Sequence, residues 1–233
     1  ADDTACLWLL SVAGRALHAL GSRAIRPGAQ SRVCRYCDAS RHRSFGLMRI
    51  VAGKHRARRL RAPKGHDIRP TSDRVREVLF NLLAHSLDWN GLEDAHVADI
   101  FCGTGAVALE ALSRGAAHAI LVDDSSSAHA AARENIAALG EEKRTTLLRN
   151  DATRPMPRPG RPVDLVYMDP PYRLEVAADV LINLQAGGWF APEALAVVEL
   201  HRQAAFEAPE GFETIDDRHY GDTRLVSLRY GGS

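Results

Sequence analysis

The chain has 233 residues, of which 45% are hydrophobic and 25% are charged, and its formal net charge is +1. This composition is typical of a folded globular domain and excludes disordered, collagen-like and disulfide-stapled chains. The longest apolar stretch, residues 6–20, is interrupted by Arg15 and His18, so the sequence predicts no transmembrane helix.

Four cysteines occur in the chain, Cys6, Cys34, Cys37 and Cys102. They are too few for a disulfide framework in a chain of this length, which predicts a reducing cytoplasm as its location. Cys34 and Cys37 form at most half of a zinc site, because no second ligand pair follows them. We therefore expect no bound metal.

Charge is divided unequally along the chain. Residues 1–70 contain 15 Lys or Arg and 4 Asp or Glu, a net charge of +11, whereas residues 71–233 contain 15 and 25, a net charge of −10. Nine of the basic residues fall within 41–64, where no acidic residue occurs. This run is the electrostatic pattern of a polyanion-binding segment, although a solvated tail would give the same pattern.

The sequence predicts three segments. Residues 1–47 show no sustained periodicity and are expected to be a poorly ordered basic leader. Residues 48–70 predict a basic β-hairpin, formed by two short strands that turn near Gly53. Residues 71–233 form the main domain, which begins with an amphipathic helix over 73–86 whose apolar residues recur at helical spacing.

Short apolar strands alternate with helices through this main domain. Strands are predicted over 96–100, 118–122, 145–149, 163–168 and 194–200, and helices over 105–114, 126–139 and 174–186. The alternation predicts an α/β fold with a doubly wound, mostly parallel sheet. Two later strand-like runs, 212–215 and 225–230, would close that sheet as an antiparallel C-terminal edge.

A glycine turn follows the first of these strands, in Asp99-Ile-Phe-Cys-Gly-Thr-Gly105. The glycines let a ligand approach the backbone, and the helix that follows offers free N–H groups. Asp123, at the end of the next strand, suits a ribose hydroxyl. The G-x-G-x-x-A spacing fits both NAD and S-adenosylmethionine. Asp99 favours the second, because a carboxylate attracts the methionine ammonium and repels a pyrophosphate.

The strand over 163–168 ends in Asp169-Pro-Pro-Tyr172. An amine on a nucleobase is a poor nucleophile because its lone pair is delocalised into the ring, so an enzyme must supply acceptors for its two protons. Asp169 and the carbonyl of Pro170 can be those acceptors, while Tyr172 offers a face for a flipped base. This motif favours methyl transfer to a base amine over the NAD alternative.

A weaker element, Arg149-Asn-Asp-Ala152, follows the third strand of the series. Asp151 could accept a hydrogen bond from an adenine amino group. A polar loop explains the same residues equally well.

These motifs together resemble the RsmD family of 16S ribosomal RNA guanine-N2 methyltransferases, from about Met48 to Tyr230. The resemblance rests on Arg49-Ile-Val-Ala-Gly, on Arg69-Pro-Thr-Ser-Asp-Arg-Val-Arg-Glu77, on the glycine turn continuing into Leu109-Glu-Ala-Leu-Ser-Arg-Gly115, and on the Asp-Pro-Pro-Tyr tetrad. DNA adenine-N6 enzymes share the tetrad, but the block from Arg69 is more specific. The family usually has Asn where this chain has Asp151.

The resemblance implies a Rossmann-like class I methyltransferase domain over 71–233, an RNA-binding arm over 48–70, S-adenosylmethionine as cofactor and small-subunit ribosomal RNA as partner of a monomer. Its catalytic residues would be Asp169, Pro170, Pro171 and Tyr172. Its cofactor site would comprise Asp99, Phe101, Cys102, Gly103, Thr104, Gly105, Asp123, Asp151 and Ala152. Its RNA contacts would be Arg49, Lys54, Arg56, Arg58, Arg59, Arg61, Arg69, Arg74 and Arg76.

Two alternatives of other classes stay open at this point. One is a DNA adenine-N6 methyltransferase that uses the same tetrad. The other is a non-catalytic RNA-binding or NAD-dependent protein with a Rossmann-like sheet.

Overall fold

The computed structural model describes residues 48–62, 73–85, 87, 89–171 and 176–232. The predicted leader, the pair Cys34 and Cys37, and the predicted site residues Arg69 and Tyr172 lie outside the described residues.

Helices and strands alternate through the described part of the chain. The helices are α1 (Asp73–His85), α2 (Ala106–Ser113), α3 (Ser126–Leu139) and α4 (Ala177–Ala186). The strands are β1 (His96–Ile100), β2 (His118–Val122), β3 (Thr145–Leu148), β4 (Val163–Met168), β5 (Phe190–His201), β6 (Phe212–Tyr220) and β7 (Thr223–Tyr230).

The strands form one seven-stranded sheet in the order β3-β2-β1-β4-β5-β7-β6. The first five strands pair in parallel, and β7 pairs antiparallel with both β5 and β6. The predicted α/β fold, with its doubly wound, mostly parallel sheet and antiparallel C-terminal edge, is confirmed.

Helices cover both faces of the sheet, and the central strands are buried on both faces. Val97 and Leu165 lie in one buried cluster with residues of α1, α2 and α3. Their neighbours Ala98 and Val166 lie in a second cluster with residues of α4. Successive side chains of a strand point to opposite faces, so continuous apolar runs are what a sheet between two helical layers requires.

Three strands are longer than the sequence pattern predicts. β5 begins at Phe190 and not at 194, β6 continues to Tyr220 instead of ending at 215, and β7 begins at Thr223 and not at 225. Much of β6 is exposed or half-buried, and it is an edge strand paired on one side only. Its polar residues therefore gave no apolar alternation from which the full strand could have been predicted.

The basic arm over 48–62 folds back on itself, but as a loop with one antiparallel bridge, between Arg49 and Arg59. Hydrogen bonds from Ile50 N to Arg58 O and from Leu60 N to Met48 O complete this pairing. Gly53 turns the chain at a φ of 79°, and a Cβ there would lie 1.9 Å from the carbonyl oxygen of Ser113. Glycine is thus required both by the backbone conformation and by the close packing on α2.

Among the described residues, no helix combines the length and the apolar character needed to cross a lipid bilayer.

Candidate active site

The glycine turn and the Asp169 corner leave the sheet side by side. β1 and β4 are parallel neighbours in which Ile100 pairs with Met168. The next residue of each strand, Phe101 or Asp169, therefore leaves the sheet at the same carboxyl edge. The strand order also reverses between β1 and β4. Such a switch point opens the crevice in which ligands bind to doubly wound sheets.

The turn after β1 is built from left-handed backbone. Phe101, Gly103 and Gly105 all have positive φ, of 62°, 54° and 76°. A Cβ on Gly105 would lie 2.6 Å from Leu121 Cδ2, whereas no atom lies within 4 Å of the Cβ position of Gly103. Gly105 is thus needed for packing under the turn, and Gly103 leaves space above it for a ligand.

Two carboxylates hold the turn in place. Asp99 Oδ2 accepts a hydrogen bond from Ala108 N in the first turn of α2, at 3.0 Å. Asp123 accepts from Gly103 N and Ser125 N, each at 2.9 Å. Burial raises the pKa of Asp99 to about 8, with further contributions from the charges of Asp123 and Asp169. Burial also raises the pKa of Asp123. A cationic ligand group beside these carboxylates would offset their desolvation.

We expect Asp99→Asn to stabilise the fold progressively as the pH rises from about 4 to about 8. The folded state of the wild type holds a proton on Asp99 up to about pH 8, whereas the unfolded state releases it near the usual 3.8. The free energy of unfolding of the wild type therefore falls through this range, and asparagine removes that contribution. Urea unfolding of both proteins between pH 5 and 9 measures the difference, and parallel pH profiles would contradict the prediction.

The other predicted cofactor residues differ in burial and in the hydrogen bonds that they already make. Asp151 accepts from both the backbone N and the hydroxyl of Thr153, at 2.9 and 2.6 Å, which lowers its pKa. Ala152 and Cys102 are buried, and burial raises the pKa of the Cys102 thiol. Thr104 is also buried, and its hydroxyl donates to Met48 Sδ. The Asp151 carboxylate thus already accepts two hydrogen bonds within its own turn. Its role in binding adenine stays a prediction.

At the corner after β4, Asp169 is half-buried, Pro170 is buried and Pro171 is exposed. The negative charge of Asp169 is one cause of the raised pKa of Asp99, so the two carboxylates share one electrostatic environment. Beyond the two prolines a cleft of about 460 Å³ extends to the loop after β5. No motif in the sequence pointed to that loop as part of the site.

Four of the six lysines and arginines that the structure describes in the arm are engaged with the domain. Lys54 pairs with Glu141, Arg61 with Glu134 and Arg49 with Asp73, at 2.7, 2.9 and 3.4 Å. Arg58 donates to Ala138 O, at 2.7 Å. Arg56 and Arg59 are exposed and make no ion pair within the described residues.

Arg76 is not available to RNA in this structure. Its side chain is 0% exposed, and it donates to Arg49 O and to Asp73 Oδ1 at 2.7 and 2.6 Å. This burial corrects the prediction for Arg76, which ties the arm to α1 instead of facing solvent. Arg74, two residues earlier on the same helix, is exposed.

The residues that hold the arm were missed at the sequence level. Glu110, fully buried in α2, accepts from Val51 N and Ala52 N at 2.7 and 2.9 Å. Asn135, buried in α3, accepts from Arg61 N and donates to Arg61 O and to Thr104 O. These last two contacts join residues 74 and 31 positions apart. No local pattern could have revealed them.

Metal ligation has no candidate in the part of the chain that the structure describes: it contains no cluster of three or more His, Cys, Asp or Glu side chains suited to a metal ion.

Comparison with known proteins places this geometry among methyltransferases. Residues 48–229 match the family described as "Conserved hypothetical protein 95". The chain is 37% identical over 158 residues to "Ribosomal RNA small subunit methyltransferase D" of Escherichia coli (strain K12), covering 68% of this chain and 77% of that protein.

Solved structures agree with this match. A "Putative methyltransferase yhhF from Escherichia coli" superposes with a TM-score of 0.70 at 31% identity, covering 81% of this chain and 100% of that one. An RNA methyltransferase from Salinibacter ruber, described in complex with S-adenosyl-L-homocysteine, has a TM-score of 0.52 at 12% identity, covering 70% and 95% of the two chains. The latter likeness shows the fold alone.

Proposed function

Since the chain belongs to the RsmD family, we propose that it transfers a methyl group from S-adenosylmethionine to the N2 amine of a guanine in small-subunit ribosomal RNA. The observation that carries the proposal is the pairing of β1 with β4. It places the glycine turn and the corner at Asp169 next to each other at one edge of the sheet. A donor site and an acceptor site must adjoin for methyl transfer to occur.

The residues on the β1 side fit S-adenosylmethionine. Asp99 is a buried carboxylate that a ligand ammonium would stabilise, and Asp123 follows the neighbouring strand, where a ribose would lie. Gly103 leaves the backbone open to the ligand. When bound, S-adenosylmethionine supplies an electrophilic methyl on a sulfonium.

The residues on the β4 side prepare the attacking amine. Asp169 Oδ and Pro170 O accept hydrogen bonds from the two N2 protons, which favours the pyramidal nitrogen whose lone pair is free to attack. As the N–C bond forms, the S–C bond breaks and the positive charge passes to nitrogen. The surplus proton then leaves toward the Asp169 carboxylate. Proline at position 170 has no N–H that could compete for these acceptors.

The test of this function is a comparison of ribosomal RNA from cells with and without the protein. Mass mapping of modified nucleotides should show one N2-methylguanosine in small-subunit RNA that disappears with the gene and returns with the wild-type chain. An unchanged modification map would contradict the proposal. Methylation of naked duplex DNA, with none of ribosomal particles, would instead favour the DNA adenine-N6 alternative.

The setting that we propose is the cytoplasm, with the assembling small subunit as substrate and a single chain as the enzyme. The arm would lie on RNA phosphates beside the cleft, because phosphate contacts position a protein without reading sequence. Arg56 and Arg59 are the arm cations best placed for this role, since neither pairs with a described acidic residue.

We expect the double variant Arg56→Ala, Arg59→Ala to bind RNA more weakly and with a flatter salt dependence. Each arginine that binds a phosphate should contribute about 0.7 to 0.9 to the slope of log K against log salt, and alanine removes that contribution. Titrations at several salt concentrations measure both effects. Arg161→Ala is the control, because Arg161 is exposed just before β4, at the opposite edge of the sheet from the cleft. Equal slopes for all three proteins would mean that Arg56 and Arg59 do not contact RNA phosphates.

A further inference from the structure

The cleft beyond the Asp169 corner has three walls. Pro170 and Pro171 form the first, the start of α4 at Ala177 forms the second, and the end of β5 with the following loop forms the third. Leu200 is the buried residue at the base of that third wall. The cleft volume of about 460 Å³ is within the range of ordinary ligand pockets.

The loop after β5 is held rigidly against the β6–β7 hairpin. Arg224 Nη1 donates to Ala204 O at 2.9 Å, and the same guanidinium makes a bidentate pair with Asp217, at 2.9 and 2.7 Å. Arg202 N donates to Asp222 O at 2.8 Å. Phe206 packs partly against the core from this loop. The third wall is therefore preformed, which reduces the entropic cost of binding a ligand there.

One carboxylate lines this otherwise largely apolar cleft. Glu207 is exposed, and it forms no hydrogen bond or ion pair with the described residues. A carboxylate accepts hydrogen bonds and donates none. The cleft thus combines apolar walls, on which a ring can pack, with an acceptor at its rim.

This combination complements the Watson–Crick edge of guanine. That edge carries an N1–H donor next to the N2 amine, whereas adenine has an unprotonated N1 that a carboxylate would repel. Enzymes that act on a flipped base read it through hydrogen bonds to this edge and through packing on its faces. With the N2 protons directed to Asp169 and Pro170, the adjoining N1–H needs its own acceptor.

We propose that the cleft receives the target guanine and that Glu207 accepts a hydrogen bond from its N1–H, which makes Glu207 a specificity-determining residue. The inference rests on the proposed function and adds to it the group that distinguishes guanine from other bases. Phe206 and Pro171 supply apolar surface on the two sides of the cleft.

The experiment uses Glu207→Gln and a matched pair of RNA substrates. One RNA carries an unmodified guanosine at the target position. The other carries 2-aminopurine there, which keeps the reacting amine but has an unprotonated N1. For the wild type, kcat/KM should be at least about tenfold higher with guanine. The amide of glutamine can still accept from N1–H through its oxygen, but it can also donate to the unprotonated N1. Glu207→Gln should therefore lose about tenfold at most on guanine, gain on 2-aminopurine, and show a smaller ratio of the two kcat/KM values.

Glu210→Gln is the control, because Glu210 is an exposed carboxylate of the same loop that does not line the cleft. It should keep the wild-type ratio of the two kcat/KM values. The ratio is measured within one protein, so a loss of folded enzyme does not affect it.

Each outcome bears on one claim. If the wild type methylates guanine but Glu207→Gln keeps the wild-type ratio, or loses activity equally on both RNAs, the role of Glu207 is overturned while the function stands. If the wild type methylates no guanine in ribosomal RNA, the proposed function itself fails. A smaller guanine preference that is confined to Glu207→Gln supports the inference.

Discussion

Replacing Asp169 with alanine is expected to lower the rate of methyl transfer by about 10² to 10⁴-fold while leaving the affinity for S-adenosylmethionine nearly unchanged. The Asp169 carboxylate acts on the amine of the base and follows β4, whereas the glycine turn and Asp123 follow β1 and β2. The loss should therefore appear in kcat with saturating RNA. Single-turnover methylation and calorimetric titration of the donor measure the two quantities separately.

Asp169→Asn is the graded control. Its amide oxygen can still accept one hydrogen bond from the amine, but the neutral side chain no longer attracts the proton that leaves. We expect a rate between those of the wild type and the alanine variant. If Asp169→Ala kept most of its activity, Asp169 would not be an acceptor for the amine, and the mechanism above would be wrong.

The largest effect on stability is expected for Glu110→Ala. The Glu110 carboxylate is 0% exposed and accepts three hydrogen bonds, from Val51 N, Ala52 N and Arg114 Nε. Alanine leaves two backbone donors and a largely buried guanidinium without their acceptor. Breaking a buried, hydrogen-bonded ion pair on one side costs about 3 to 5 kcal/mol of unfolding free energy. Urea unfolding measures this change.

Glu134→Ala provides the matched comparison. Glu134 also pairs with an arginine, Arg61 of the arm, at 2.9 Å, but the side chains of Glu134 and Arg61 are 56% and 75% exposed. An exposed pair of this kind contributes about 0 to 1 kcal/mol. Similar destabilisation by the two variants would mean that burial does not set the contribution of Glu110. RNA affinity should also fall in Glu110→Ala, because the arm loses its attachment to α2.

The central sheet could be predicted from sequence because its strands carry their own signal. β1, β2 and β4 are short, mostly apolar runs with bounds that the structure reproduces, and each precedes a recognisable turn. That the glycine turn and the Asp169 corner lie at the same edge of the sheet is what a general rule predicts, since parallel strands place their carboxyl ends at one edge.

The fate of individual charges could not be predicted in the same way. The sequence pattern does not distinguish Arg76 from Arg74, yet Arg76 is buried and Arg74 is exposed. The difference depends on Arg49 O, 27 residues away from Arg76 and brought near only by the fold of the arm. Glu207 lies in a loop without a motif, and its place in the cleft depends on the clamp between Arg224 and Ala204.

Asn135 links the two working parts of the protein through one side chain. It bonds the backbone of Arg61 in the arm and the carbonyl of Thr104 in the glycine turn. Asn135 thus fixes the distance between the arm, where RNA phosphates would bind, and the glycine turn, where the methyl donor would bind. If the arm binds RNA as proposed, the nucleotides that reach the donor would be those at this distance from the bound phosphates. Distance along the RNA would then contribute to the choice of target independently of the neighbouring bases.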